Sequence, residues 1–238
     1  MMKKYKIADL VVRMDPKFSP LLPQSKAYIY SGSDESFFDI LTTPEVVDAY
    51  KARFHDSEES LIEYMHTGSV FYTNLIHQGG MMLHASAVEM DGKAYLFSAP
   101  SGTGKSTHTS LWVKEFSPKA AILNDDKPAI RIYEEEISVY GTPWSGKTNQ
   151  NLNHKVPLQA IAFIKRSDKN EIHRISSISA IEKILSQTVR SGDKDTMERL
   201  LDILGQIVQK IPVYELSCNM DPEAAHIAYN TMSKGETL

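Results

Sequence analysis

The sequence predicts a mixed α and β fold, with much of its sheet antiparallel, arranged around a phosphate-binding loop. Three observations carry this. Two apolar runs of strand character, Met81–Met90 and Lys93–Ser98, are joined by Asp91-Gly92, a strong short-range hairpin signal. A Gly-rich segment, Ala99–Ser106, follows the second run and precedes a helical stretch. Further on, Met197, Leu200, Leu201, Leu204, Ile207 and Val208 recur at helical spacing and define one buried helix face.

Composition sets the outer bounds. At 238 residues the chain can bury a real core. With 42% hydrophobic and 24% charged residues it reads as a globular protein, which excludes low-complexity disorder, collagen and coiled coil. A net charge of −4 gives no general field for polyanions, so the expected partners include no nucleic acid. Cys218 is the one cysteine and can form no intrachain disulfide, and no Cys/His cluster has zinc spacing. The basic start runs into Ile7–Val12, which is short and broken by Asp9, so it lacks the apolar core of a signal peptide. No apolar run has spanning length, and the expectation is a cytoplasmic protein without a membrane partner.

Each element has a local reason. Residues 1–42 read as irregular β, with short runs at Lys6–Val12 and Lys26–Tyr30 around a turn rich in Pro16, Pro20 and Pro23. Thr43-Pro44 opens a helix, a cap followed by Pro at the first helical position. Asp56 with Glu59 reads as a capping box for a second helix ending near Gly68, and a third covers Val70–His77 up to Gly79-Gly80. After the hairpin and the Gly-rich loop, a helix stops before Pro118, and a strand covers Ala120–Leu123. Shorter strands follow at Ala129–Tyr133 and Ile137–Tyr140, then a long one at Val156–Ile164. Val213–Leu216 is a strand, and Asp221-Pro222 starts the last helix. The expected division is an N-terminal α+β extension, residues 1–80, which could dock a substrate, and a nucleotide-binding unit, residues 81–238.

The chemistry concentrates in Ala99-Pro100-Ser101-Gly102-Thr103-Gly104-Lys105-Ser106, a phosphate loop with Ala in the first glycine position. Small residues let backbone N–H groups curl around phosphate oxygens, and the helix start that follows adds its positive end. Ser101, Gly102, Thr103, Gly104, Lys105, Ser106 and Thr107 are the expected nucleotide contacts. Lys105 would reach the β/γ-phosphates and the Ser106 hydroxyl would sit on Mg²⁺. Gly141–Thr148 matches the same pattern formally. Pro143 removes an N–H from the cradle, Trp144 is bulky, and Thr148–His154 has no helical periodicity. This segment reads as an active-site loop carrying Lys147 toward the phosphates, or as a solvated turn over a packed Trp.

Downstream, Ile122-Leu123-Asn124-Asp125-Asp126 is an apolar strand ending in carboxylates, where a Mg²⁺-associated acid is expected. One Asp could hold the metal while the other accepts a proton, and a plain turn before Lys127-Pro128 is the alternative. His84 lies on the strand before the hairpin, either as an ordinary core or edge residue or as a group beside the loop. There is no Gly-x-Ser-x-Gly elbow and no His-Glu-x-x-His motif to support a hydrolase.

Taken in order, Leu83-His84-Ala85, Ser101–Ser106 and Asn124-Asp125-Asp126 resemble the catalytic domain of HPr kinase/phosphorylase, which shares its nucleotide-binding fold with phosphoenolpyruvate carboxykinase. The resemblance covers residues 80–217 and points to the short bacterial HPr-kinase-like proteins, some of which phosphorylate a peptide serine in lasso-peptide pathways. It implies a phosphoenolpyruvate carboxykinase/HPr kinase-like P-loop fold with ATP and Mg²⁺ as cofactors. It also implies roles: Lys105 on phosphate, Ser106 and Asp126 on the metal side, Asp125 as general base, His84 as the active-site histidine.

The expected function is an ATP-dependent kinase that transfers the γ-phosphoryl group to a hydroxyl. The acceptor is a serine of a peptide or protein, or a small molecule. Lys105, Mg²⁺ and Lys147 would stabilise the transferring group. A nucleotide-dependent switch with weak ATPase activity is the alternative from another class. A carboxykinase-related enzyme would need a second metal cluster. A homo-oligomer is compatible with the sequence.

Overall fold

The computed structural model describes residues 2–235. The chain adopts the mixed α and β class that the sequence predicts. The sheet core is β5 (Ala85–Met90), β6 (Lys93–Ser98), β7 (Ala120–Asn124), β10 (Lys155–Arg166) and β12 (Val213–Cys218). β5 is antiparallel to β6 and to β7, whereas β6 and β12 are each parallel to β10. β6, β7, β10 and β12 therefore run the same way and bring their carboxyl ends to one edge, where β5 begins. Ligand sites in such sheets form at that edge. The remaining strands β4 (Gly80–Met82), β8 (Ala129–Tyr133) and β9 (Glu136–Tyr140) extend the sheet from the start of β10, and β11 (Glu171–Arg174) pairs with β12.

Alternation along the central strands sends side chains to two cores. Leu96, Ile161 and Phe163 face a cluster formed with α5 (Ser177–Ser186) and α6 (Lys194–Lys210). Tyr95, Phe97, Ala160, Ala162 and Ile164 face α4 (Lys105–Phe116) and α7 (Pro222–Met232). A sheet buried on both faces needs apolar residues at consecutive positions, and Ala160–Ile164 supplies them. A third cluster joins α3 (Glu59–Ile76) and the small sheet β1 (Lys3–Ile7), β2 (Leu10–Met14) and β3 (Phe38–Ile40) to Met82, Ala129, Tyr140 and Trp144. No helix among the described residues is long and apolar enough to cross a membrane.

The hairpin, the helix after the Gly-rich loop, and the strands from Ala120 onward lie where the sequence puts them. Thr43 caps α2 (Pro44–Arg53) through the Val46 N–H, as its position predicts. Four expectations are corrected. Lys6–Val12 is not one strand, because Ala8 and Asp9 both take positive φ and turn the chain into the β1–β2 hairpin. Lys26–Tyr28 is a turn of 3₁₀ helix rather than part of a strand, following the short α1 (Leu21–Gln24). The two helices expected on either side of Gly68 are one helix, α3, and its N-cap is Glu58 without any cap from Asp56. Gly68 does not stop the helix. It makes room for Trp144, whose ring lies 3.3 Å from where a Cβ would stand. The run Met81–Met90 is broken at Leu83-His84, between β4 and β5.

Candidate active site

The convergent strand ends define a cleft of about 690 Å³ lined by the Gly-rich loop, His84, Asp125, Asp126, Lys147 and Arg166. Every catalytic and metal-side residue expected from sequence reaches this one cavity, as do Ser101, Gly102, Gly104 and Thr107. Thr103 lines a neighbouring cleft of about 590 Å³ between α4 and the chain that follows β10 and β12 (Ser167, Asp168, Asn219 and Met220). The two clefts share Gly104, Thr107 and Arg166.

The loop is built for close approach. Gly102 and Gly104 have φ of +79° and +121°, a region that side-chain-bearing residues rarely adopt. Arg166, at the end of β10, fixes the loop by donating to the carbonyls of Gly102 and Thr103, the latter at 2.9 Å. No side chain caps α4 and no acidic residue sits in its first turn. The N–H groups of Lys105, Ser106 and Thr107 therefore lack the intrahelical acceptors that later turns have, and they suit the oxygens of an anion. Lys105 is buried, and its ammonium donates to the Ala99 carbonyl at 3.0 Å. Burial pushes its pKa down, and Asp126 and Asp125 act against that. This set of donors fits a nucleotide's phosphates.

The carboxylates are held by a turn that Asn124 makes. Its buried Oδ1 accepts from the N–H groups of Asp126 at 3.0 Å and Lys127 at 2.8 Å, while its Nδ2 donates to the Thr142 carbonyl at 2.9 Å. The two Asp side chains then meet different partners. Asp125 is buried and accepts from the Ser86 hydroxyl at 2.6 Å, and Ser86 in turn contacts Thr109 of α4 at 2.9 Å. Asp126 contacts His84 Nε2 at 3.3 Å, forms an ion pair with Lys127 and accepts from the Tyr64 hydroxyl at 3.3 Å. Burial opposes ionisation of Asp126, but His84 and Lys127 outweigh it and hold the carboxyl at about 2. His84 is oriented from its other side by Gln187 Oε1, 3.1 Å from Nδ1.

An anion kept charged beside the loop's hydroxyl is a suitable ligand for a hard cation, which commonly takes one or two carboxylates and completes its shell with water and phosphate. Ser106 and Asp126 line the same cleft and fit that role. Among the described residues there is no cluster of three or more His, Cys, Asp or Glu that could hold a metal without a substrate.

Gly141–Thr148 borders the cleft and holds the packed Trp of the second alternative. Trp144 is fully buried, stacked on Phe71 at 4.9 Å and donating from Nε1 to Thr67 at 3.2 Å, whereas Lys147 is exposed in the cleft. No helix follows this loop, as its lack of periodicity predicts. Sequence reasoning missed Tyr64, Gln24 and Gln187. These residues act at long range, and a single sequence carries no local signal for them.

With this geometry in place, the chain is a mixed α and β protein whose strand ends open into a polar cleft beside a Gly-rich loop. The chain belongs to the family described as SynChlorMet cassette protein ScmC, whose model matches residues 51–223. Among solved structures, the Hpr(Ser) kinase/phosphatase from Coxiella burnetii is similar at 9% identity and a TM-score of 0.38, over 64% of this chain and 97% of that one. No curated protein matches the chain.

Proposed function

We propose that this protein is an ATP-dependent kinase that transfers the γ-phosphoryl group to a hydroxyl, on a serine of a peptide or protein or on a small molecule. The observation that carries the reading is the meeting of Lys105, Ser106, Asp125, Asp126, His84 and Lys147 in one cleft. The phosphates lie along Ser101–Thr107, with Lys105 at the β/γ oxygens. The adjoining cleft beside α4 has room for the nucleoside. Mg²⁺, when bound with the nucleotide, neutralises phosphate charge and would be held by Ser106 and Asp126.

The two carboxylates divide the work by environment. Asp126 is held strongly ionised, which makes it a good ligand and a poor base. Asp125 has one oxygen occupied by Ser86, and it takes the proton from the acceptor hydroxyl. Lys147 approaches the transferring group from the far loop, and His84 orients Asp126. Phosphoryl transfer requires mainly positioning and charge neutralisation, which this set provides.

The test is incubation of purified protein with γ-labelled ATP, Mg²⁺ and hydroxyl acceptors, including peptides encoded by adjacent genes. Acceptor-dependent label transfer that is lost in Asp125→Asn supports the kinase reading. Label released only to water, at the same rate with every acceptor, contradicts it in favour of a nucleotide switch.

A further inference from the structure

The phosphate loop and the carboxylates come from residues 84–126, yet the cleft they form has another wall. Pro20, Ser60, Leu61 and Tyr64 line it too, and all four come from the N-terminal eighty residues. Tyr64 projects from α3, and its ring is buried beneath the Lys127 ammonium, 4.8 Å from the ring centre. Its hydroxyl is used twice. It donates to Asp126 Oδ2 at 3.3 Å and accepts the Gly146 N–H at 2.8 Å. Gln24 holds the other end of the same residue, donating from Nε2 to the Gly146 carbonyl at 2.8 Å. Gly146 has a φ of +67°, and a Cβ there would stand 3.1 Å from Asp126 Cβ. The backbone just before Lys147 is thus threaded between Tyr64, Gln24 and Asp126.

We infer that the N-terminal segment completes the reaction site, with Tyr64 as a positioning residue that locks the Asp126 carboxylate to the Gly146–Lys147 backbone. Packing alone would not require this arrangement. A tyrosine placed only to fill the core needs one partner for its hydroxyl, commonly water or a nearby carbonyl. Here the hydroxyl joins two segments of chain that bring different charges to one cleft: a carboxylate after β7 and a lysine after β9. Phosphoryl transfer depends on such charges being in place before the reaction, so loosening the joint should cost rate more than nucleotide affinity. Pro20, Ser60 and Leu61 stand on the same wall and would face the acceptor.

This inference rests on the kinase reading, and the experiment separates the two. Tyr64→Phe keeps the ring and its place under Lys127 but removes the hydroxyl. Hydrogen exchange of the peptide spanning residues 141–148 should accelerate at least tenfold. Mg-ATP affinity should stay within threefold, since the Tyr64 hydroxyl bonds to Asp126 and Gly146 rather than to Ala99–Ser106, and Asp126 keeps its ion pair with Lys127. Release or transfer of the γ-phosphoryl group at saturating ATP should fall at least tenfold. Gln24→Leu, which frees the opposite end of Gly146, should reproduce the same pattern more weakly and serves if Tyr64→Phe fails to fold. Faster exchange with normal turnover would make the hydroxyl merely structural and overturn the inference, as would unchanged exchange. Loss of ATP affinity in parallel with turnover would also overturn it. If instead the wild-type protein neither binds Mg-ATP nor turns it over, the kinase reading fails first, and the positioning role falls with it.

Discussion

Asp125 and Asp126 are neighbours in sequence and unlike in surroundings, and their proposed roles follow from that difference. Asp125→Asn keeps the hydrogen bond to Ser86 within reach but cannot take a proton at neutral pH. Phosphoryl transfer should fall by about two or more orders of magnitude, the usual scale of general-base catalysis, while Mg-ATP still binds. Asp126→Asn should instead raise the Mg²⁺ concentration needed for half-maximal rate, because an amide is a poorer ligand for a hard cation. Single-turnover rates and Mg²⁺ titrations on the two variants distinguish these outcomes. Normal transfer in Asp125→Asn, or a purely metal-dependent defect in both, would mean the roles are wrongly divided. Lys147 offers a third contrast. Exposed at the cleft, it should affect turnover more than ground-state nucleotide affinity when changed to Ala, and the opposite order would point to Gly141–Thr148 as the phosphate-binding loop.

At the scale of elements, the turn after β7 depends on one side chain. Asn124 is fully buried and accepts from two backbone N–H groups, and although Lys127 also donates to the Trp144 carbonyl at 3.1 Å, Asn124→Ala takes the acceptor of the Asp126 N–H away. The expected loss is about 1–3 kcal/mol of stability, read as a lower denaturant midpoint, with phosphoryl transfer weakened beyond what the stability loss explains. An unchanged midpoint would show that the turn holds itself. The same scale explains what was legible in the sequence. The β5–β6 hairpin, the loop and the start of α4 were readable because Asp91-Gly92 and the glycines of Ser101–Lys105 act through their own backbone angles. The course of α3 was not. Gly68 reads as a helix stop until Trp144, seventy-six residues later, is seen to occupy the space its missing side chain leaves. The β1–β2 turn was hidden for a related reason: Ala8 and Asp9 carry positive φ without any glycine to announce it. In the candidate cleft, local motifs point to Lys105, Ser106, Asp125 and Asp126, whereas Tyr64, Gln24 and Gln187 arrive only through tertiary packing.

At the scale of the whole molecule, two cores flank the sheet, and one of them holds a histidine without charge. His108 is buried against Phe97 and accepts from the Trp112 indole N–H at 3.1 Å. Burial lowers its pKa from 6.5 to about 4. Between those values the unfolded chain binds a proton that the folded chain refuses. Its share of stability is therefore complete above about pH 6.5 and is lost as pH falls toward 4, about 3 kcal/mol in all. Denaturant midpoints measured from pH 7 to pH 4 should show this decline, and His108→Gln should flatten that part of it. An equal decline in the variant would assign the acid sensitivity elsewhere. The same core packs α4 against β5 and β6, so it also fixes the helix whose first turn faces the cleft. The central claim is that this first turn and its loop bind nucleotide phosphates through Lys105. The most direct measurement is calorimetric titration of Mg-ATP into the wild-type protein and Lys105→Ala. The expected result is saturable binding to the wild type and at least a tenfold weaker affinity in the variant, a difference of about 1.4 kcal/mol or more. Equal affinities in a folded Lys105→Ala protein would contradict it.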